Sequence, residues 1–330
     1  MYFPLSFVWL WYCIRSRSLW FFSTSNPTIT FGGFEGECKR EMYEQLPDDL
    51  YPATCYISPD DSFEIIREKV HRSGIGYPLV VKPDVGMKGL LFRKIGSPGE
   101  LKSYHSAMQV DYLAQEMISL PIEVSVFYYR FPNQHKGVIT GFIKKEYLEV
   151  TGDGHSSLLE LIENHRRAKF RMEELRQRHQ NCLHEIIPNG KIFVLSYAGN
   201  HNRGARFIDL GHQIDERLHG VFDTISHKAR HFYYGRYDIK CNSLDELKQG
   251  KNFYILEFNG CGAEPNHIYD CDMSLWEAYR EILFHWNVLF RISRYNHRNG
   301  APYWSFGRGF IFLWQARRYF KWIEQLDTGF

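Results

Sequence analysis

The chain has 330 residues, of which 44% are hydrophobic and 16% aromatic, and its formal net charge is +2. That length supports two or three domains and a sizeable core. The near-neutral charge, with no long like-charge block, gives no support for nucleic-acid binding, which normally shows a basic patch or stripe. Seven scattered cysteines (Cys13, Cys38, Cys55, Cys182, Cys241, Cys261 and Cys271) include no C-x-x-C pair. Neither a disulfide framework nor a zinc site is expected, and a reducing, cytoplasmic setting is the simpler reading.

The N-terminus, MYFPLSFVWLWYCIRSRSLWFF, carries an apolar run that stops at Arg15. A membrane-spanning helix needs roughly 20 such residues. Basic residues follow the run and no small-residue cleavage site is evident, which makes a poor secretory signal. A buried helix is expected, although Trp, Tyr and Phe mixed with Arg also suit a helix lying at a membrane interface. GFIFLWQARRYFKWIEQL, residues 309–326, has the same character. The two ends would pack on each other or share one membrane-facing surface.

Residues 24–60 are rich in turn formers and read as loop with short elements. DSFEIIREKVHRS, residues 61–73, has a helical period with Phe63, Ile66 and Val70 on one face and Asp61 as N-cap. YPLVVKP (77–83), the glycine loop DVGMKG (84–89) and LLFRKI (90–95) form a strand, loop and strand, hence a hairpin. A helix over 99–108 and a short strand over 111–118 follow. IEVSVFYYRFP (122–132) and KGVITGFIKKEY (136–147) read as paired strands. Residues 148–178 begin with the turn TGDG, after which Ser156 or Ser157 caps a long helix carrying Leu159, Leu161 and Ile162 on its inner side. KIFVLSYAG (191–199) is a strand, and the polar stretch 200–211 runs into another. A helix over 216–232 precedes the strands YYGRYDIK (233–240) and NFYILEFN (252–259), which a helix-like SLDELKQG connects. From 274 onward the pattern is helical. Hairpins mixed with helices indicate an α+β fold, not a repeating βαβ unit.

Three groups of residues carry chemistry. Glu257 and Asn259 lie two apart in an apolar strand, as do Arg236 and Asp238, so pairing those strands would put all four on one face. Asp238, Glu257 and Asn259 offer hard oxygen ligands suited to Mg²⁺, and Arg236 would hold a phosphate or developing negative charge. A buried salt bridge from Arg236 to Asp238 or Glu257 is the competing reading, and it leaves Asn259 without a role. The second group is Lys82, inside PLVVKP, which must reach an anion or shift its pKa. Gly86 and Gly89 behind it let backbone N–H groups approach a phosphate. The third is QEMISLPIEVSV (115–126), where strand-end backbone could meet an adenine ring, Met117 and Ile118 could pack on its faces, and Glu123 could accept from ribose hydroxyls. A solvated strand-end carboxylate is the plainer reading of Glu123.

The order of these pieces resembles the ATP-grasp superfamily over roughly residues 61 to 272. It is closest to the D-alanine–D-alanine ligase-like and cyanophycin-synthetase-like carboxylate–amine ligases, the latter through LEVTGDGHSSLLELI. The resemblance implies two α+β subdomains clamping ATP, with a short N-terminal segment and a helical C-terminal extension. The corresponding divisions are 1–60, 61–125, 126–272 and 273–330. It implies ATP and paired Mg²⁺ ions as cofactors, and an amide or peptide bond formed through an acyl phosphate from small carboxylate and amine substrates. Lys82 and Arg236 would be catalytic. Lys82, Gly86, Lys88, Gly89, Gln115, Glu116, Met117 and Glu123 would bind ATP, and Asp238, Glu257 and Asn259 the metal. Arg203, Arg206, Glu264 and His267 are substrate candidates.

The chain also departs from that family. Only GGFEGE (32–37) is near its H-G-x-x-G-E-x-G signature, and GCGAEPNHIYD (260–270) replaces its T-x-P-G-type loop. D-alanine is therefore not the expected substrate. Rival readings are a phosphotransferase of the same fold, a non-catalytic nucleotide-binding protein docked on the inner face of the membrane, and a metal-dependent hydrolase that leaves Lys82 without a role.

Overall fold

The computed structural model describes residues 3–87, 89–196, 199, 204–229, 231–269 and 273–328. The N-terminal helix α1 is Ser6–Ser16, and α2 (Lys39–Tyr43) and β1 (Thr54–Ile57) follow in the turn-rich stretch. Next come α3 (Phe63–Arg72), β2 (Leu79–Pro83), β3 (Arg93–Ile95), α4 (Pro98–Ala107), β4 (Tyr112–Glu116), β5 (Ile122–Tyr129) and β6 (Val138–Glu146). Then β7 (Leu148–Thr151), α5 (Leu158–Asn164), α6 (Met172–Arg178), β8 (Ile192–Ser196) and β9 (Arg206–Asp209) lead to α7 (Glu216–Lys228). The chain closes with β10 (Tyr234–Cys241), α8 (Leu244–Lys248), β11 (Phe253–Asn259), α9 (Leu275–Arg298) and α10 (Phe306–Asp327). The α+β expectation holds, and the C-terminal helices are present as expected.

The chain divides into two compact units, Lys144–Ile208 forming one and the flanking segments 3–143 and 209–328 the other. The expected division at 125/126 falls inside β5. In the larger unit, a sheet of order β1-β4-β2-β3 is covered by α3, α4 and α10. The second sheet has the order β11-β10-β5-β6-β9. On one face of it Phe222 and Ile225 of α7 and Leu247 of α8 pack with Val124, Val126, Tyr237 and Ile239. On the other, Phe127, Tyr129 and Tyr234 meet α9 and the aromatic N-terminus. Burying each large apolar side chain there contributes roughly 1.5–3 kcal/mol. Asn26 ties the N-terminal loop to β10, accepting from the N–H groups of Tyr233 and Tyr234 and donating to the carbonyls of Gly32 and Tyr234. All of its hydrogen-bonding capacity is met, which is what allows it to be fully buried.

The smaller unit pairs β7 with β8 over a core of Leu148, Val150, Leu158, Ile162 and Leu175.

Three expectations needed correction. Ser62, not Asp61, caps α3, accepting from Ile65 N–H, while Asp61 takes Lys69 at 2.5 Å. The long helix expected after Ser157 is broken, because His165 turns extended and its Nδ1 accepts the N–H groups of Arg167 and Ala168. The second hairpin strand is only Arg93–Ile95, since Leu90 and Phe92 donate to turn carbonyls at Met87 and Gly89.

α1 is both buried and exposed. Tyr12 stacks on Phe290 of α9 at 4.5 Å and Trp9 meets Trp286 edge-on at 5.0 Å. Its opposite stripe, Phe7, Leu10, Trp11 and Ile14, faces solvent. Among the described residues no helix is long and apolar enough to cross a membrane. The six described cysteines are free thiols.

Candidate active site

β10 lies between β5 and β11, so its alternating side chains have neighbours on both sides. The antiparallel register sets Arg236 opposite Asn259 and Asp238 opposite Glu257. Directly paired residues point to the same face, which brings the four sequence-predicted polar residues together. Asp238 is only 5% exposed. Its oxygens accept Arg236 Nε at 3.1 Å and a terminal guanidinium nitrogen at 3.2 Å, Asn259 Nδ2 at 3.3 Å, and the hydroxyl of Ser125. Burial disfavours the charge of Arg236, but Asp238 and then Glu257 hold its pKa above the ordinary value. The salt-bridge reading is thus realised between Arg236 and Asp238, and Asn259 joins it through its amide N–H. The amide oxygen of Asn259 is the donor it would offer a metal. The Glu257 side chain is 37% exposed, with Lys39 Nζ 3.7 Å away.

Lys82 reaches this cluster from the other sheet. Alternation along β2 buries Leu79, Val81 and Pro83 on one side and turns Lys82 to the other. Its ammonium donates to the Tyr43 hydroxyl at 3.1 Å and to the Leu256 carbonyl at 3.2 Å. Burial pulls its pKa down to about 8, against the attraction of Glu257. Tyr43 itself donates to the Leu256 carbonyl at 2.5 Å, and burial pushes its pKa up. Lys39 holds the glycine loop, donating from Nζ to the Gly86 carbonyl at 3.3 Å. Asp84 accepts the Arg40 N–H and the Cys38 thiol. Gly86 is required because a Cβ would come within 2.6 Å of the Pro83 ring. Lys88 lies outside the described residues.

The glycines of GGFEGE do something the sequence reading assigned to no residue. The N–H groups of Cys261 and Gly262 donate to the carbonyls of Gly32 and Gly33 at 3.1 and 2.9 Å. A Cβ on Gly33 would come within 2.7 Å of Gly260 Cα, so two glycine segments meet backbone to backbone. This contact brings Glu37 into the neighbourhood of Lys39 and Glu257, and burial pushes its carboxyl pKa upward. Glu37, Lys39, Tyr43 and Ser125 were missed by the sequence reading. The signal that could have found the first two was a glycine-flanked acid and base pair in GECK.

The remaining candidates are more dispersed. Gln115 is buried and donates to Thr54 Oγ1 at 2.7 Å. Gln115 and Glu116 both lie inside β4, paired with β1 and β2, and Met117 is the first residue past that strand. Glu123 stands opposite Lys240 across β5 and β10, where burial lowers the lysine pKa and Glu123 works to raise it. The Glu264 carbonyl accepts Arg236 at 3.4 Å, and its carboxylate accepts the Tyr269 hydroxyl at 2.9 Å. His267 is buried against Glu281 of α9. Arg206 sits in the smaller unit, exposed on β9, and Arg203 lies outside the described residues.

No protein-family model and no curated protein matches the chain. Among solved structures it is similar to a D-alanine–D-alanine ligase from Bacillus anthracis, at 14% identity and a TM-score of 0.43, over 80% of this chain and 69% of that one. It is also similar to the VanG D-Ala:D-Ser ligase from Enterococcus faecalis, at 11% identity and a TM-score of 0.43, over 76% of this chain and 61% of that one. A bifunctional glutathione synthetase from Pasteurella multocida gives 14% identity and a TM-score of 0.39 over 70% of this chain, which spans 33% of that protein. At these values the likeness assigns neither family nor activity.

Proposed function

We propose that the chain is an ATP- and Mg²⁺-dependent enzyme of phosphoryl transfer. Within that class, the reading that best fits is an ATP-grasp carboxylate–amine ligase acting on small molecules. The observation that carries it is the pairing of a buried lysine with a strand-borne carboxylate site. Lys82 hydrogen-bonds only neutral oxygens among its described partners, yet it abuts the strand bearing Glu257 and Asn259. A buried ammonium without a bonded counter-ion is costly unless a ligand supplies the charge, and perturbed groups of this kind mark functional sites.

The donor set fits Mg²⁺: the carboxylates of Asp238 and Glu257 and the Asn259 amide are hard oxygen ligands within one register of paired strands. When bound, Mg²⁺ would neutralise charge on a transferring phosphoryl group. Lys82 and Arg236 would hold phosphate oxygens, and the loop from Asp84 to Gly89, with Lys39 behind it, would lie over them. Glu123 and the β4 end, Gln115 to Met117, are the proposed ribose and adenine contacts. Glu264 is a proposed substrate contact.

The test is product identity. Purified protein with ATP, Mg²⁺ and pools of carboxylates and amines should release ADP and phosphate only when both substrate types are present. Release without an amine would favour a phosphotransferase, and AMP as product would sink the acyl-phosphate route.

A second reading concerns location. The exposed stripes Phe7, Leu10, Trp11 and Ile14 on α1 and Phe306, Phe310 and Trp314 on α10 support docking on an anionic membrane surface. Arg15 over Trp11 at 5.5 Å and Arg318 over Trp314 at 4.7 Å place cations beside the apolar rings, the composition of an interfacial anchor. The proposed setting is therefore the cytoplasmic face of a membrane.

A further inference from the structure

A second cluster of ligand-type side chains lies outside the site described above. His267 stands in the single 3-10 turn Asn266–Ile268 that follows β11. Glu281 and His285 lie four apart on α9, so they share one helix face. Nε2 of His267 and Nε2 of His285 each lie 3.1 Å from the same oxygen, Oε1 of Glu281. The three ligand atoms all fall within 4.8 Å of one another. His285 is 1% exposed and His267 7%.

We propose that His267, Glu281 and His285 bind a divalent transition-metal ion of the zinc class, clasping the loop after β11 to α9. The ligand set is two neutral imidazole nitrogens and one carboxylate, which suits Zn²⁺ or Co²⁺ better than Mg²⁺. Zn–N and Zn–O bonds of roughly 2.0–2.2 Å imply tetrahedral edges of about 3.3 Å, close to the nitrogen–oxygen separations already present. Second-sphere support is also in place, because the Tyr234 hydroxyl lies 3.1 Å from Nδ1 of His285 and fixes the ring. Phe127 holds the same ring edge-on at 4.4 Å. His267 is held by close approach to Gly141, where any Cβ would strike its Nδ1. That Nδ1 is buried with no hydrogen-bond partner among the described residues. The Glu281 side chain is 26% exposed, so a water can complete the coordination from its side. No cysteine takes part.

The clasp would matter to the first site by position. Glu264, whose carbonyl receives Arg236, lies three residues before His267 in the same loop. An ion there would hold that segment while taking no part in chemistry.

The proposal is tested on the untagged full-length chain by equilibrium dialysis with Zn²⁺, elemental analysis, and the visible spectrum of the Co²⁺ form. One equivalent should bind, with the intense absorption of a four-coordinate Co²⁺ site. His267→Gln and Glu281→Gln should each weaken binding on the order of 100-fold, the loss expected for a direct ligand. Glu257→Gln should leave it unchanged, and circular dichroism of each variant confirms folding. The proposal is overturned if the wild type retains no Zn²⁺, or if Glu257→Gln abolishes binding that His267→Gln leaves intact. The latter would place the ion at the Asp238 and Glu257 site instead.

Discussion

Lys82 Nζ lies 3.2 Å from the carbonyl oxygen of Leu256, the residue immediately before Glu257. A lysine from the four-stranded sheet therefore ends on the strand of the other sheet that carries the candidate metal ligands. This contact is the basis of the first prediction, which concerns pH. Burial holds the Lys82 pKa at about 8, below the 10.5 of a free lysine. Between those values the unfolded chain keeps a proton that the folded chain has released, so the Lys82 contribution makes stability rise with pH across that window. Below pH 8 the folded protein carries the full cost of the buried charge. Urea unfolding at pH 7.5, 8.5 and 9.5 should show this rise in the wild type, and Lys82→Met should remove it. A variant with the same pH slope as wild type would refute the assignment.

Asp238 accepts from Arg236, Asn259 and Ser125, so removing its charge strands a buried guanidinium. Asp238→Asn should cost about 3–5 kcal/mol of stability, the usual penalty for breaking a buried pair. Glu257→Gln alters a half-exposed carboxylate and should change stability far less, while lowering Mg²⁺-dependent ADP formation by at least about 100-fold. Thermal melts set beside turnover rates separate the two effects. Comparable loss of stability in both variants would count against the distinction.

Gly33 has φ +75° and no room beyond its Cα, where Gly260 approaches. Gly33→Ala should lose more than about 2 kcal/mol, combining left-handed backbone strain with a backbone clash. Gly74 also has a positive φ, but nothing lies within 4 Å of its Cβ position, so Gly74→Ala should show only the strain. Chemical denaturation of the pair would measure the clash by difference, and equal losses would mean that the glycine contact relaxes freely.

Trp11 and Trp314 are both half exposed on helices whose other faces are in the core. The double substitution Trp11→Ser, Trp314→Ser should leave the melting temperature nearly unchanged and weaken sedimentation with anionic vesicles by at least about tenfold. Unchanged vesicle binding, or none in the wild type, would remove the membrane reading.

Much of this could be read from the chain, for a local reason. Strand alternation around Arg236, Asp238, Glu257 and Asn259 specifies which side chains share a face, and YYGRYDIK and NFYILEFN each declare that alternation within seven or eight residues. Helix periodicity located α3, and the helical readings of 99–108 and 216–232 match α4 and α7, although the cap of α3 proved to be Ser62. The helix after Ser157 was misjudged because its break depends on one imidazole capturing two backbone N–H groups, a competition that periodicity does not register.

What only the tertiary structure decided is the company those residues keep. Lys39 and Glu37 enter the site because GGFEGE meets GCG across more than 200 positions of sequence, through glycines whose value lies in having no side chain. His267 meets Glu281 and His285 because α9, whose helical pattern was legible but whose partner was not, packs against its loop. Local patterning follows from the 2.0 and 3.6 residue periods of the backbone, which any short window contains. Close approach between distant segments is set by the volume that side chains leave free, and only the folded chain states that.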